Sequence, residues 1–363
     1  MSRENYTETV PVIRPIIQKA GLELKFCNVE QWLSLADRRI ACDLAPYQVK
    51  DAADRVFRIT PFITECRDLT ILGGDWIPVR KGGIALIEQM VHTPALYPGK
   101  AKNIRVEAGK CIAISKAVAE YSGTIVMIGG DTNYYHWVID NLPRLILARK
   151  YADLSNVKIV VNKPLLRFQR ESLALLGIDQ RDLLLLGDDE AIRAHTTIVP
   201  SLLASATVPH PLLPKLLQDA FPMCKPSTRE RVYLSRQEAA TRRLINEPEL
   251  ILLLERYGFE RVVPSTLDFQ QQIDLCYGAK AVVAVHGAGM ANIAFCPPST
   301  KIFEIFTPHH KVTSMFMLSR TCKREHRFVP ARNITFGKDG NALLGDWEVD
   351  LTAMESALRS ALN

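Results

Sequence analysis

Along residues 121–201 the chain repeats one pattern: a short continuous apolar run, then a stretch with helical spacing. GTIVMIGG (123–130) is an apolar run closed by two glycines, which predicts a strand buried on both faces. VKIVVN (157–162), DLLLLG (182–187) and TTIVPS (196–201) predict further strands, and LLRFQRESLALLG (165–177) a helix closed by Gly177. A second series starts at RVYLS (231–235). Asn246 is placed as an N-cap, Pro248 in the first helical turn and Glu249 in a capping box, so a helix runs from there to Gly258. FERVVP, AVVAV and KIFEIF read as strands, LDFQQQIDLCYGA as a helix, and HGAGMANIAF as a helix stopped by Pro297 and Pro298. DLTAMESALRSALN closes the chain as an amphipathic helix.

Strand–helix alternation of this kind predicts parallel sheets covered by helices. Two such series imply two α/β domains, and 363 residues exceed what one core usually serves. The boundaries read as an N-terminal domain over 1–205, a linker over 206–229 with five prolines, a second domain over 230–345 and a terminal helix over 346–363. Residues 1–120 are less patterned. VEQWLSLADRRIACDL (29–44) includes a helix, and 69–95 reads as strands with glycine turns. Ligands of parallel sheets bind beyond the carboxyl ends of the strands, so the expected site is a cleft between the two sheets.

Charge narrows the function only slightly. A net charge of +6 suits an anionic small substrate and is too weak to indicate nucleic acid. The opening MSRENYTETVPVIRP has charges and a proline where a signal peptide needs an apolar core, and no run approaches 18 apolar residues. The eight scattered cysteines contain no CxxC and read as reduced thiols, mostly buried. These features fit a cytoplasmic enzyme.

Three stretches carry candidate chemistry. In GGDTNYYHWVIDNLPR (129–144), a helical wheel puts Asn133, His136, Asp140 and Arg144 within about 80° of one another. Pro143 should kink or restart that helix near Asn141. An imidazole and a carboxylate four residues apart touch, so either could take a proton from a hydroxyl; a local ion pair or a cap fits the spacing equally. Two ligands are too few to claim a metal. In VVAVHGAGMANIAFCPP (282–298), a strand ends at His286-Gly287-Ala288-Gly289, where close backbone approach and helix-start amides favour an anion such as phosphate. The pattern is neither GxGxxG, since Asn292 stands at the third glycine, nor a P-loop. In YLSRQEAATRRLINEPE (233–249), Ser235, Arg236, Arg242 and Arg243 lie near a strand end; arginine forks there suit a diphosphate, and surface arginine is the competing reading. Glu304 interrupts an apolar strand, so it either binds something such as a ribose diol or sits in a salt bridge. The chain has no DxD and no GxSxG, and GDDEA (187–191) reads as a loop or helix start.

Taken together, GGDTNYYHWVIDNLPRL, YLSRQEAATRRLINEPEL, QQIDLCYGAKAVVAVHGAGMANIAFCPP and IFEIF resemble glycosyltransferase family 61 over about residues 121–306. The resemblance implies a GT-B-like α/β fold: two Rossmann-like parallel-sheet domains facing across a cleft. It implies inverting transfer from a nucleotide sugar without a bound metal or other cofactor. Asp140 is then the first choice for catalytic base with His136 as partner, or the reverse. Arg236, Arg242, Arg243, His286, Gly287, Ala288, Gly289, Asn292 and Glu304 fall on the donor side, Glu304 at the ribose, and Asn133 and Arg144 on the acceptor side. The implied acceptor is a glycan or lipid-linked saccharide of cell-surface polysaccharide such as capsule or lipopolysaccharide. A lipid-linked acceptor would bring a cytoplasmic enzyme to the inner face of the plasma membrane. Nucleic acid is not an expected partner. Two other classes stay open: a non-catalytic nucleotide- or phosphoglycan-binding subunit, and an NAD-dependent oxidoreductase, against which the missing GxGxxG speaks.

Overall fold

The computed structural model describes residues 22–50, 56–86, 104–107, 110–113, 117–205, 208–225, 227–307, 309, 312–337, 340 and 344–362. The opening segment and residues 87–95 of the strand-rich stretch lie outside these described residues. The chain divides into two units. One holds Met1–Arg167 and Ile178–Ala206, the other Phe168–Gly177 and Thr207–Asn363.

The first unit contains β1 (Leu22–Cys27), α1 (Val29–Leu35), β2 (Arg38–Ile40), β3 (Tyr47–Lys50), β4 (Val56–Ile59), β5 (Ile63–Leu72), β6 (Ile77–Val79), β7 (Ile84–Leu86), β8 (Ile104–Glu107), β9 (Lys110–Ala113) and β10 (Ala117–Met127). It continues with α2 (Tyr134–His136), α3 (Leu142–Tyr151), β11 (Val157–Asn162), β12 (Leu183–Leu186), β13 (Glu190–Pro200) and β14 (Ala204–Ser205). Its large sheet runs β12-β11-β10-β13-β5-β6-β7-β1-β9-β8, with β2 also on β5. The run β12-β11-β10-β13 is parallel. Counted along the chain it has the order 3-2-1-4, which puts a topological switch point between β10 and β13. Beyond β13 the expectation of a parallel sheet is corrected, because β13 pairs antiparallel with β5, and β5-β6-β7 form a meander. The connections at 73–76 and 80–83 are four residues long, and turns that short can join only antiparallel strands. One core cluster packs Trp32, Cys66, Ile71, Ile125, Met127 and Val160; Trp32 Nε1 donates to Thr64 Oγ1 at 3.1 Å.

The second unit contains α4 (Arg167–Leu175), β15 (Val208–Pro209), α5 (Leu213–Ala220), β16 (Arg231–Leu234), α6 (Glu247–Arg256), β17 (Glu260–Val262), α7 (Phe269–Gly278), β18 (Ala281–Val285), β19 (Lys301–Phe306), α8 (Ser314–Thr321), β20 (His326–Asn333), β21 (Trp347–Val349) and α9 (Leu351–Leu362). The sheet order is β17-β16-β18-β19-β20-β21, parallel except for β21. All five residues of β18 are buried, as a strand covered on both faces requires. The switch point here lies between β16 and β18. Trp347, Met354 and Leu358 join Tyr233, Leu250, Val283 and Phe303 in its core, so the terminal helix is part of this unit.

Three further expectations change. Residues 206–229 are not a bare linker. Leu213, Leu216 and Leu217 of α5 are buried, and Gln218 Nε2 donates to Ala294 O at 3.0 Å within the second unit. Helix α4 belongs to that unit although β11 and β12 on either side of it do not; Phe269 N donates to Glu171 Oε2 at 3.0 Å. Asn246 does not cap α6 with its side chain, which instead pairs with the backbone of Val349 through bonds of 2.9 and 3.1 Å. The capping box sits at α7, between Asp268 and Gln271.

Candidate functional site

In the first unit, β10 runs through Ile128 into Gly129, Gly130 and Asp131 at the switch point. Gly129 has φ +98°, and a Cβ there would lie 2.4 Å from Asn141 Nδ2. Asn133 caps α2 and accepts from Tyr135 N at 2.9 Å. Trp137–Asn141 is a single π-turn, and α3 starts at Leu142 with Pro143 in its first turn. The π-turn accounts for the proline: in an α-helix its ring would strike the Ile139 carbonyl, and a widened turn avoids that. The kink expected near Asn141 takes this form.

His136 Nδ1 and Asp140 Oδ2 are 2.7 Å apart. Their side chains are 20% and 7% exposed, so the imidazole is the member of the pair that reaches solvent. Burial deepens along this face. Asn133 is exposed, whereas Arg144 is 1% exposed. The Arg144 guanidinium donates to Pro200 O at 3.0 Å and Ile128 O at 3.4 Å, tying α3 to the carboxyl ends of β13 and β10. Burial pushes its pKa down to about 9, with the Asp140 charge opposing. Asn133 is thus a cap at the exposed end of this face, and Arg144 a buried clamp across the switch point.

In the second unit, Ser235 and Arg236 follow β16, and His286–Gly289 follow β18. Between them lies a cavity of about 190 Å³. Arg236, Gly287, Gly289, Glu238, Pro264 and Ser265 are among the residues that line it. A Cβ at Gly287 would come within 2.3 Å of Arg236 Nη1, so only glycine lets the guanidinium lie against the chain. Arg236 donates to Thr241 O at 3.0 Å and Arg242 to His286 O at 3.1 Å, while both Nε atoms are buried without a hydrogen-bond partner. Burial, then the neighbouring Arg242 charge, brings the pKa of Arg236 down to about 10, and burial lowers that of Arg242. Both stay protonated at neutral pH, and among the described residues neither forms an ion pair. Two half-buried like charges, each with an unmet Nε donor, are chemically suited to an anion.

The other donor-side candidates are placed differently. Arg243 is exposed and bonded to Asp346 at 2.9 and 3.3 Å. Asn292 is buried and donates to Gln272 Oε1 at 2.9 Å. Ala288 opens a 3-10 helix, Ala288–Phe295, where an α-helix was expected. Glu304 is fully buried between His286 Nδ1 and His326 Nε2, the latter at 2.9 Å. Its ribose role is corrected in favour of the structural pairing. The His286 ring turns toward Glu304, and its carbonyl accepts from Arg242.

Glu247, in the first turn of α6, escaped the sequence reading. Its Oε1 accepts from Tyr233 Oη at 2.7 Å and from Ser235 Oγ at 2.6 Å. Tyr233 and Ser235 share one face of an extended segment, and an acidic first-turn residue was the available signal. Among the described residues, no group of three or more His, Cys, Asp or Glu side chains is placed to hold a metal, and no helix is long and apolar enough to cross a membrane. The eight cysteines are free thiols, five of them buried and Cys224 exposed.

Residues 134–303, just under half of the chain, match the sequence model of the family described as Glycosyltransferase 61. A 90-residue stretch is 33% identical to the EGF domain-specific O-linked N-acetylglucosamine transferase of Drosophila melanogaster. That stretch covers 24% of this chain and 17% of the fly protein.

Proposed function

We propose that this chain, whose residues 134–303 match glycosyltransferase family 61, moves a sugar from a nucleotide donor to an acceptor hydroxyl. The observation that carries the reading is the pair of half-buried guanidiniums of Arg236 and Arg242 beside His286 and Gly287, each with a buried Nε that has no hydrogen-bond partner and neither in an ion pair among the described residues. They would hold the donor diphosphate and take the leaving-group charge that a metal carries in other transferases. Ser235, fixed by Glu247, lines the same cavity, and the nucleoside would lie toward Glu238 and Ser265. In the proposed GT-B arrangement the two units serve one substrate pair, and inversion occurs in a single displacement.

The proton acceptor is His136. It is the more exposed member of its pair, and the carboxylate of Asp140 behind it fixes the ring and holds the imidazolium that forms. Asp140, the first choice from sequence, takes the orienting role. The similarity to the fly O-linked N-acetylglucosamine transferase makes N-acetylglucosamine the first sugar to test and an oxygen-linked product the one to expect. Assembly of cell-surface polysaccharide in the cytoplasm, at the inner membrane face, is the biological setting proposed.

The test is calorimetric binding and turnover with UDP-, GDP- and CMP-sugars, UDP-N-acetylglucosamine among them, against NAD. Binding of one nucleotide sugar with transfer or slow hydrolysis supports the proposal. Binding without either reduces the chain to a nucleotide-binding subunit, and preference for NAD overturns the reading.

A further inference from the structure

A chain of buried polar contacts runs through the second unit from α8 to the glycine turn. Ser319 Oγ meets His326 Nδ1 at 2.9 Å, and His326 Nε2 meets Glu304 Oε2 at 2.9 Å. Glu304 Oε1 then bonds His286 Nδ1. Ser319 and Glu304 are fully buried, and the side chains of His326 and His286 are 1% and 5% exposed. Burial tends to raise the Glu304 pKa, but the hydrogen bonds from the two histidines outweigh it and leave the carboxyl below its usual range. Glu304 is thus ionised at neutral pH and can only accept. Both ring nitrogens facing it are therefore N–H. In the tautomer that donates from Nε2, the Nδ1 of His326 accepts, and the Ser319 hydroxyl is then the donor.

A buried carboxylate loses its hydration, and well-packed apolar groups of the same volume often serve stability equally well. What the chain does fix is His286. The backbone of His286 accepts from Arg242, and the next residue, Gly287, lies against the guanidinium of Arg236. A ring anchored in one orientation fixes the carbonyl and the turn against which both arginines are set. Glu304, Ser319 and His326 lie beyond the family-matched segment 134–303.

We propose that Ser319, His326 and Glu304 are positioning residues, a relay that holds His286 and through it the anion clamp of Arg236 and Arg242. The inference rests on the clamp reading given above. Supporting groups of this kind act by removing slack, and losing one typically weakens a site by about 10–100-fold.

The experiment uses the full chain, inorganic pyrophosphate as probe, calorimetry for affinity, 15N NMR for histidine tautomers and thermal melting for stability. Wild type should show His286 as the Nδ1–H and His326 as the Nε2–H tautomer. The Glu304→Gln amide accepts from one ring and donates to the other, so one tautomer inverts at nearly constant volume, and pyrophosphate affinity should fall about tenfold. Ser319→Ala removes the hydroxyl donor to His326, and a fall of a few-fold is expected. An inverted tautomer with unchanged affinity overturns the proposal, as does a lower melting temperature with unchanged affinity. If Glu304→Gln does not fold, Ser319→Ala decides in the same terms. Wild type that fails to bind pyrophosphate overturns the clamp reading itself, an outcome distinct from the others.

Discussion

Gly287 is occupied, in effect, by a neighbour's side chain. A methyl group there would meet the end of Arg236, which can swing away, so Gly287→Ala should fold normally and yet hold pyrophosphate at least about tenfold more weakly. Melting curves and calorimetry on one preparation separate the two effects. At the other candidate centre, His136→Gln should lower turnover by about 10²–10⁴-fold while leaving nucleotide affinity intact. Asp140→Asn, which keeps the contact but not the charge, should also lower turnover with affinity unchanged. Full turnover in His136→Gln would remove the imidazole from the role. The His–Asp pair, Arg236 and the glycine turn were legible in sequence because spacing and residue type suffice for them. Spacing gives a face but no depth. His136 and Asp140 do touch, yet burial deepens from the exposed Asn133 to Arg144, which ends as a backbone clamp. Arg243 and Glu304 are held by Asp346 and His326, which lie in stretches where the sequence predicts no chemistry, so these pairings could not be read.

At the scale of elements, the clamp made by Arg144 is the most exposed to test. Its two carbonyl partners terminate the strands on either side of the switch point. Removing the guanidinium strands buried acceptors, each worth about 1–3 kcal/mol, so Arg144→Ala should lower unfolding free energy by at least that amount in denaturant titrations. An acceptor-binding role would instead raise the acceptor KM at unchanged stability. The strands and helices of 121–306 could be read because continuous apolar runs and 3.6-residue spacing alternate there. Strand direction was not written in that pattern. The antiparallel meander β5-β6-β7 follows from four-residue turns, and the π-turn at Trp137–Asn141 from a proline whose effect a helical wheel does not show. Helix α8 and strand β20, short and punctuated by Pro330, gave no periodic signal long enough to separate from loop.

For the molecule as a whole, pH is the informative variable. Glu304 has a lower pKa folded than unfolded, so the unfolded chain binds its proton more readily. Its stabilisation is complete above the unfolded value, roughly pH 4.3, and is lost as pH falls through the folded value. Wild type should therefore lose unfolding free energy more steeply than Glu304→Gln when denaturation at pH 6 is compared with that at pH 3.5; equal losses would contradict the assignment.

The exchange of helix α4 has a consequence for how the protein can be taken apart. The polypeptide crosses from one unit to the other three times, at 167/168, 177/178 and 206/207. A protease nick near residue 206 severs only the last crossing, and the upstream fragment still contributes residues 168–177 to the packing of the downstream one. The nicked protein should elute from gel filtration as a single particle and separate into two bands only in denaturant. A fragment beginning at residue 207 is, by the same logic, a lobe missing one of its own helices.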